Sequence, residues 1–489
     1  MKKTGYPNWV AGAALLGMLL GAPSTILAQR LPDSDALGAH DHPVILRQFG
    51  GEISDKTLSA YVAGVGKSLV LQTSEAQESW HFTVLDSPVV NAFALPGGYV
   101  YVTRGLLAIA NNEAELAAVL GHEIGHVTSH HGEERIARNN KAGIGVVIGT
   151  ILGGVFGGKD GAEDAIKLGL KVASGYMASY SKQQELEADR IAVDLLQKTG
   201  YTPMAAAQFL DQLAAKEALE KQVSGEQYNP NRVDFFASHP ATGQRIAKAR
   251  TLAQKSVTQN QKLDEAKYLG HINGLIYGDT AQEGFIRGLT FSHPKMQFTF
   301  TVPKGFILEN TPQKVLAADG SGARFILDGD AAWEGSLTDY VTKQWVPLIK
   351  QESEVSNLRD LRALKINGLQ AATAMVDIST KDGPSIAQLT AIRFGDATFR
   401  IASVTAKSQG RARNALNTAA QSFRRLTNAE AAQLQPYRLK VVTVAAKDSV
   451  ASLSRTMPLT GLQQAQFRAL NGYRSDSEMK PGDLVKTVE

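Results

Sequence analysis

The run Leu120-Gly121-His122-Glu123-Ile124-Gly125-His126-Val127 places two imidazoles four residues apart, with a carboxylate between them. On an α-helix, positions i and i+4 share a face, so both histidines can reach one Zn²⁺. Glu123 would stand beside the open coordination position, where it could take a proton from a water and pass it to a leaving amine. A surface helix with two solvated histidines would show the same five residues. The flanking sequence favours the metal. Ala114, Leu116, Ala117, Ala118, Val119 and Leu120 are helix formers or core fillers, and Asn112 followed by Glu115 reads as a capping-box start.

Zinc needs a third protein ligand and one position left open. In the segment from Ser181 to Arg190, Glu185 and Asp189 lie one turn apart and share a face. Glu185 would complete a His₂Glu set, and Asp189 would orient a ligand histidine through its free ring nitrogen. Glu187 reads as a solvated charge. His130 and His131 compete as ligands, but His130 lies roughly 12 Å beyond His122 along a straight helix, too far to share one ion with it.

Together these patterns resemble the HExxH/ExxAD zinc metallopeptidases, the family of the CAAX prenyl proteases, HtpX and BepA. Asn91-Ala92-Phe93-Ala94-Leu95-Pro96-Gly97-Gly98 is similar to the strand and turn that precede the motif helix there. Ala237-Ser238-His239-Pro240, with Arg245 after it, is similar to the family's later HP segment. The resemblance implies one zinc ion per chain, held by His122, His126 and Glu185, with Glu123 as catalytic base and Asp189 behind the ligands. His239 would correspond to a histidine that approaches the zinc and regulates access. A neutral imidazole can plug the open position or donate to a tetrahedral oxyanion; a capped histidine before a proline turn is the plainer alternative. Asn91, Ala92, Phe93 and Ala94 would form an edge strand that holds substrate backbone by strand addition, a mode that takes extended, unfolded chain with little sequence preference.

The elements around these residues place them in a compartment and a domain. Lys2 and Lys3, an apolar stretch from Trp9 to Leu20, and small residues up to Ala28 read as a cleaved secretory signal peptide over residues 1–28. The apolar run is short for a membrane anchor. The chain has no cysteine, which excludes thiol catalysis, disulfides and a lipidated cysteine anchor. Export, zinc and the lack of cysteine together point to the bacterial periplasm. With 51 Lys and Arg against 47 Asp and Glu and no basic run, nucleic acid is not an expected partner. Residues 142–158 are uncharged, with glycines at 145, 149, 153 and 157. That stretch reads as a buried hairpin, a lid, or a peripheral contact with the outer or inner membrane.

The expected fold class is α+β. A mainly helical zincin peptidase domain with a small edge-strand sheet (29–259) is followed by an α+β domain (263–430) and a small β-α-α-β module (437–489). In the second region, Met296 to Pro303, Ala372 to Ile378, Ile386 to Phe394 and Thr398 to Val404 read as strands, and Leu337 to Gln351 and Ala412 to Phe423 as helices. The pattern has a slight likeness to PsbP/Mog-type folds. It carries no catalytic constellation, and His293 reads as a turn histidine before proline. The last module, with Leu470-Asn471-Gly472 and Lys480-Pro481-Gly482-Asp483, resembles LysM-type modules, which bind peptidoglycan. The usual glycine near Lys447-Asp448 is absent, so a structural cap is an equal alternative. The expected function is an exported zinc endopeptidase acting on unfolded or misassembled envelope proteins in quality control. The alternatives are a chaperone or assembly factor with a latent protease, and a peptidoglycan-tethered scaffold.

Overall fold

The computed structural model describes residues 34–135, 180–224 and 235–489, except 241, 257–260, 312–313, 352, 381–382 and 460. The leader expected over 1–28 and the glycine-rich stretch 142–158 lie outside the described residues.

Two helices, α1 (Ser34–Gln48) and α2 (Lys56–Val70), precede a small sheet. Its strands are β1 (His81–Leu85), β2 (Ala92–Leu95) and β3 (Tyr99–Thr103), in the order β1-β3-β2, with β1 parallel and β2 antiparallel to β3. The turn between β2 and β3 needs glycine twice. Gly97 and Gly98 have φ of 83° and 75°, and a Cβ on Gly98 would meet the Ser79 carbonyl at 2.3 Å. β2 is thus an edge strand, as expected, but all four of its residues are buried.

A short helix α3 (Arg104–Ile109) leads into the motif helix α4 (Glu113–Thr128). Asn112 caps α4 by accepting from the Glu115 amide at 2.9 Å. The Glu115 carboxylate does not close the expected box at Asn112. It accepts instead from the Asn111 amide at 2.8 Å, one residue earlier. Helix α5 (Lys182–Thr199) carries a full capping box, Ser181 with Gln184, and ends at Gly200 in the left-handed region. Helices α6 (Met204–Ser224), α7 (Gly243–Lys255) and α8 (Glu265–Ile272) complete this part.

The central region is built on a seven-stranded antiparallel sheet. Strands β4 (Ile276–Tyr277), β5 (Phe285–Arg287), β6 (Thr290–His293) and β7 (Phe298–Thr301) are followed by β8 (Ile307–Asn310), β9 (Val315–Ala318) and β10 (Arg324–Ala331). After a helical segment, Leu337–Tyr340 to Val346–Lys350 through a π-helical turn, come β11 (Val355–Ile366), β12 (Leu369–Thr380), β13 (Gly383–Phe394) and β14 (Ala397–Ala406). The sheet order is β11-β12-β13-β14-β10-β9-β8. One face packs on that helical segment through Tyr340 and Trp345. The other packs on a phenylalanine-rich core with Phe298, Phe300 and Phe325, closed by helix α9 (Gly410–Gln421). His293 is the last residue of β6 rather than a turn residue as expected, and its Nδ1 accepts from the Met296 amide at 3.2 Å in the turn that follows.

The last residues follow the expected order: β15 (Tyr437–Thr443), α10 (Val450–Arg455), α11 (Gln463–Asn471) and β16 (Leu484–Val488). Ser449 caps α10, and the carboxylate of the preceding Asp448 accepts from the Ala445 amide. Leu439, Phe467, Leu470 and Val485 belong to the same hydrophobic core as Leu106, Leu116 and Phe209 of the first part. Strand β15 also pairs with β4.

Candidate metal centre

Helices α4 and α5 run antiparallel and touch through small residues. Gly121 faces Ala192, and Gly125 faces Ala188. Because neither glycine has a side chain, the backbones come close enough for the carboxylates of α5 to meet the imidazoles of α4. His122, His126 and Glu185 are all nearly inaccessible to solvent. Nε2 of His122 and Nε2 of His126 are 3.1 Å apart. Glu185 places Oε2 at 3.6 Å from His122 Nε2 and Oε1 at 3.5 Å from His126 Nε2. Four donors around one zinc at bond lengths of about 2.05 Å would stand roughly 3.3 Å from one another. The three separations bracket that value, and the donor set, two neutral imidazoles and a carboxylate, is one zinc accepts. The residues present therefore fit the ion.

His239 supplies a fourth donor. It follows the single turn Phe235–Ser238, whose Phe235 carbonyl accepts its amide at 2.7 Å. Its Nδ1 lies 2.9 Å from Glu185 Oε1 and 3.3 Å from His122 Nε2, and the Phe235 ring stacks on it at 4.7 Å. His122, His126, Glu185 and His239 thus form one cluster whose ligand atoms all lie within 4.8 Å of one another.

Glu123 is fully buried beside this cluster, and neither of its carboxylate oxygens has a hydrogen-bond partner among the described residues. His239 Nε2 lies 3.7 Å from Oε1. Burial pushes the Glu123 carboxyl above its ordinary value, only partly offset by His239 and His122. An unpaired buried carboxylate is costly unless it has a chemical task, and a raised pKa suits proton transfer near neutrality.

A layer behind the donors fixes their orientation. Asp189 Oδ1 lies 3.0 Å from His122 Nδ1, which leaves His122 Nε2 as the donor atom. Arg245 grips Asp189 with two hydrogen bonds, at 2.8 and 2.7 Å, and reaches Glu185 Oε2 at 2.6 Å. Burial opposes ionisation of Asp189, but Arg245 and His122 outweigh it and hold its carboxyl low. Burial would likewise lower His122, but the contacts with Asp189 and Glu185 hold it at about 9. His126, with burial as its main influence, falls well below its ordinary value.

The expected site residues are therefore all placed. His122, His126, Glu185, Glu123 and His239 converge, Asp189 stands behind them, and Asn91 to Ala94 form the nearby edge strand with its start. His130 is exposed and outside the cluster. Three residues have partners that the sequence reading does not give them. His131 Nδ1 lies 2.9 Å from His126 Nδ1 and its Nε2 is 3.5 Å from Glu187, so Glu187 is not merely solvated. The Tyr180 ring stacks on His126 at 3.8 Å, with the Arg135 guanidinium 4.3 Å from its centre. Arg245 had been noticed only as a residue after the HP pair. No spacing rule marks any of the three, since none lies in the same helix as its partner.

Residues 57–253 match the sequence model of Peptidase family M48, a zinc-dependent metallopeptidase family. Among similar proteins, the beta-barrel assembly-enhancing protease of Escherichia coli (strain K12) is 30% identical over 244 residues, 47% of this chain and 47% of that protein. The mitochondrial metalloendopeptidase OMA1 of Schizosaccharomyces pombe is 29% identical over 206 residues, 42% of this chain and 56% of the relative. The chain spans about half the length of the relatives it matches. The solution structure of cyanobacterial PsbP from Synechocystis sp. PCC 6803 covers 29% of this chain and 98% of that one at 16% identity, with a TM-score of 0.24. The matched residues, 57–253, include the helices that carry the buried donors, so the similarity to Peptidase family M48 and the donor cluster fall on the same part of the chain.

Proposed function

We propose that the chain is an exported zinc endopeptidase that hydrolyses peptide bonds of unfolded or misassembled envelope proteins. The observation that carries this is the buried convergence of His122, His126 and Glu185 beside the unpartnered carboxylate of Glu123. A zinc ion held by His122, His126 and Glu185 would polarise the scissile carbonyl and acidify a water. Glu123 takes the proton from that water and delivers it to the departing amine. Asp189 and Arg245 keep the His122 ring and Glu185 in place while charge develops. β2, at the edge of its sheet, would hold the substrate as an added strand. The similarity to beta-barrel assembly-enhancing proteases supports envelope proteins as the substrate class, and the leader-like residues 1–28 support the periplasm as the compartment. Among the described residues no helix is long and apolar enough to cross a membrane. A peripheral membrane contact through 142–158 and a peptidoglycan contact through 437–489 belong to the same proposal.

The test is hydrolysis of casein by the zinc-loaded full chain, with Glu123→Gln as control. Wild type is expected to cleave, and the variant to bind zinc equally but not cleave. Equal cleavage by both would refute the assignment. The position of His239 Nδ1 between Glu185 and His122 favours a second reading, in which the protease rests latent and the protein serves mainly as a chaperone. Holdase activity that survives Glu123→Gln would support it.

A further inference from the structure

Beside the candidate metal centre lies a cavity of about 220 Å³ that the proposed chemistry does not use. His126 forms part of its wall, and so does the turn that ends β2, from Leu95 to Gly98. Trp80, Val127 and Tyr180 give it apolar surface, and Glu75, Glu78 and Glu133 give it three carboxylates. No lysine or arginine lines it among the described residues. His130 also lines the cavity, with its Nδ1 at 3.7 Å from Glu133 Oε1 and its side chain 63% exposed.

An extended chain added along β2 with its scissile carbonyl at the metal centre advances about 3.3 Å per residue. A side chain next to the cut bond therefore reaches a cavity whose wall includes a candidate zinc ligand. Aromatic and aliphatic walls accept a long methylene stem, and carboxylates at the mouth accept a cation at its end. Glu75 is part-buried, and burial together with Glu78 and Glu133 raises its carboxyl, so these carboxylates gain from a cation brought among them.

We propose that this cavity is a side-chain recognition pocket that selects lysine or arginine adjacent to the scissile bond of an extended polypeptide. The proposal rests on the peptidase reading for its register along β2, but binding tests it without turnover. Zinc-loaded full-length Glu123→Gln is titrated into three fluorescein-labelled extended peptides that differ only by one Lys, Met or Glu, with anisotropy as readout. The Lys peptide should bind about tenfold more tightly than the Met peptide, as expected for two or three partly exposed charge contacts, and the Glu peptide more weakly still. Adding Glu75→Gln, Glu78→Gln and Glu133→Gln should bring the Lys to Met ratio to about one. Glu78 is exposed, so Glu78→Lys tests the same point without risk to the fold and should sharply reduce the Lys to Met ratio. Equal affinity for Lys and Met peptides, no measurable binding of any peptide, or a preference that survives the triple substitution would overturn the pocket. A preference that holds while wild type leaves casein intact would refute the peptidase reading alone.

Discussion

Replacing Gly125 with alanine should loosen zinc binding more than it changes stability. A Cβ on Gly125 would lie 3.1 Å from Ala188 Cα, 3.3 Å from the Ala188 carbonyl oxygen and 3.3 Å from Ile191 Cβ. Backbone atoms cannot rotate away, so α5 must move by a few tenths of an ångström. Two opposing terms set the stability. Glycine to alanine inside a helix gains about 1 kcal/mol, and overpacking costs about 1–3 kcal/mol, so the net loss is on the order of 1 kcal/mol. Metal binding has no such compensation. Gly125 lies between His122 and His126 in the chain, and Ala188 lies between Glu185 and Asp189. Any parting of the helices therefore separates Glu185 from both histidines, while ligand distances tolerate only about 0.2 Å. The expected loss of zinc affinity is about 10- to 100-fold, the range seen when ligand positioning is disturbed. Competitive titration against a chromophoric chelator measures the affinity, and thermal unfolding of the metal-free proteins measures stability. Gly64→Ala is the control, because Gly64 lies in α2 and a Cβ there would meet nothing within 4 Å; it should gain stability and leave zinc affinity unchanged. A Gly125→Ala protein with affinity within twofold of wild type would show that the close approach of α4 and α5 does not set the ligand geometry.

Asp189→Asn keeps the shape but removes the charge that faces His122 Nδ1 and Arg245, so zinc affinity should fall about tenfold or more in the same chelator assay. His239→Ala should raise the initial rate of casein cleavage at saturating zinc, because it removes the fourth donor; an unchanged or lower rate would count against occlusion. Asp377 is held at about 2 by hydrogen bonds from Lys407 and Arg359. Its folded pKa lies below its unfolded one, so its contribution is present above the ordinary carboxylate range and is lost as pH falls through about 2. Urea midpoints measured from pH 5 to 2 should decline less steeply in Asp377→Asn than in wild type.

Most of the candidate site was legible because its chemistry sits in two local patterns. Helical periodicity alone puts His122 and His126 on one face and Glu185 and Asp189 on another, and their meeting required only that the two helices pack. The partners of those residues were not legible. His131 reaches His126 because the chain reverses at His130, which adopts φ of 54°, and where a helix ends is weakly encoded. In the central region, β12, β13 and β14 showed alternation and were found. β11 was missed because its register shifts twice, with Asn357 and Asp360 at positive φ, which breaks the period-two pattern. Such bulges suit a long edge strand, where they discourage pairing with another chain.

The C-terminal order of elements was legible, but its attachment was not, and the attachment bears on the peptidoglycan proposal. Leu439, Phe467, Leu470 and Val485 are almost fully buried in the core they share with the residues matched to Peptidase family M48. At about 1.5–3 kcal/mol for each large apolar side chain, these four contribute roughly 6–12 kcal/mol as an upper estimate, comparable to the stability of a whole domain. Lys486, fully buried on β16, donates to the carbonyls of Ala108, Ile109 and Ala110, the residues that lead into the motif helix. A chain cut before Tyr437 would lose both contributions, so its failure to sediment with peptidoglycan would report unfolding rather than a lost binding surface. A glycan contact has to be sought in the full chain, through substitutions at exposed positions such as Lys447 and Lys480, which leave the shared core intact. Sedimentation that ignores those substitutions, in a protein that melts like wild type, would favour a module whose task is to cap the peptidase core and hold the start of its motif helix.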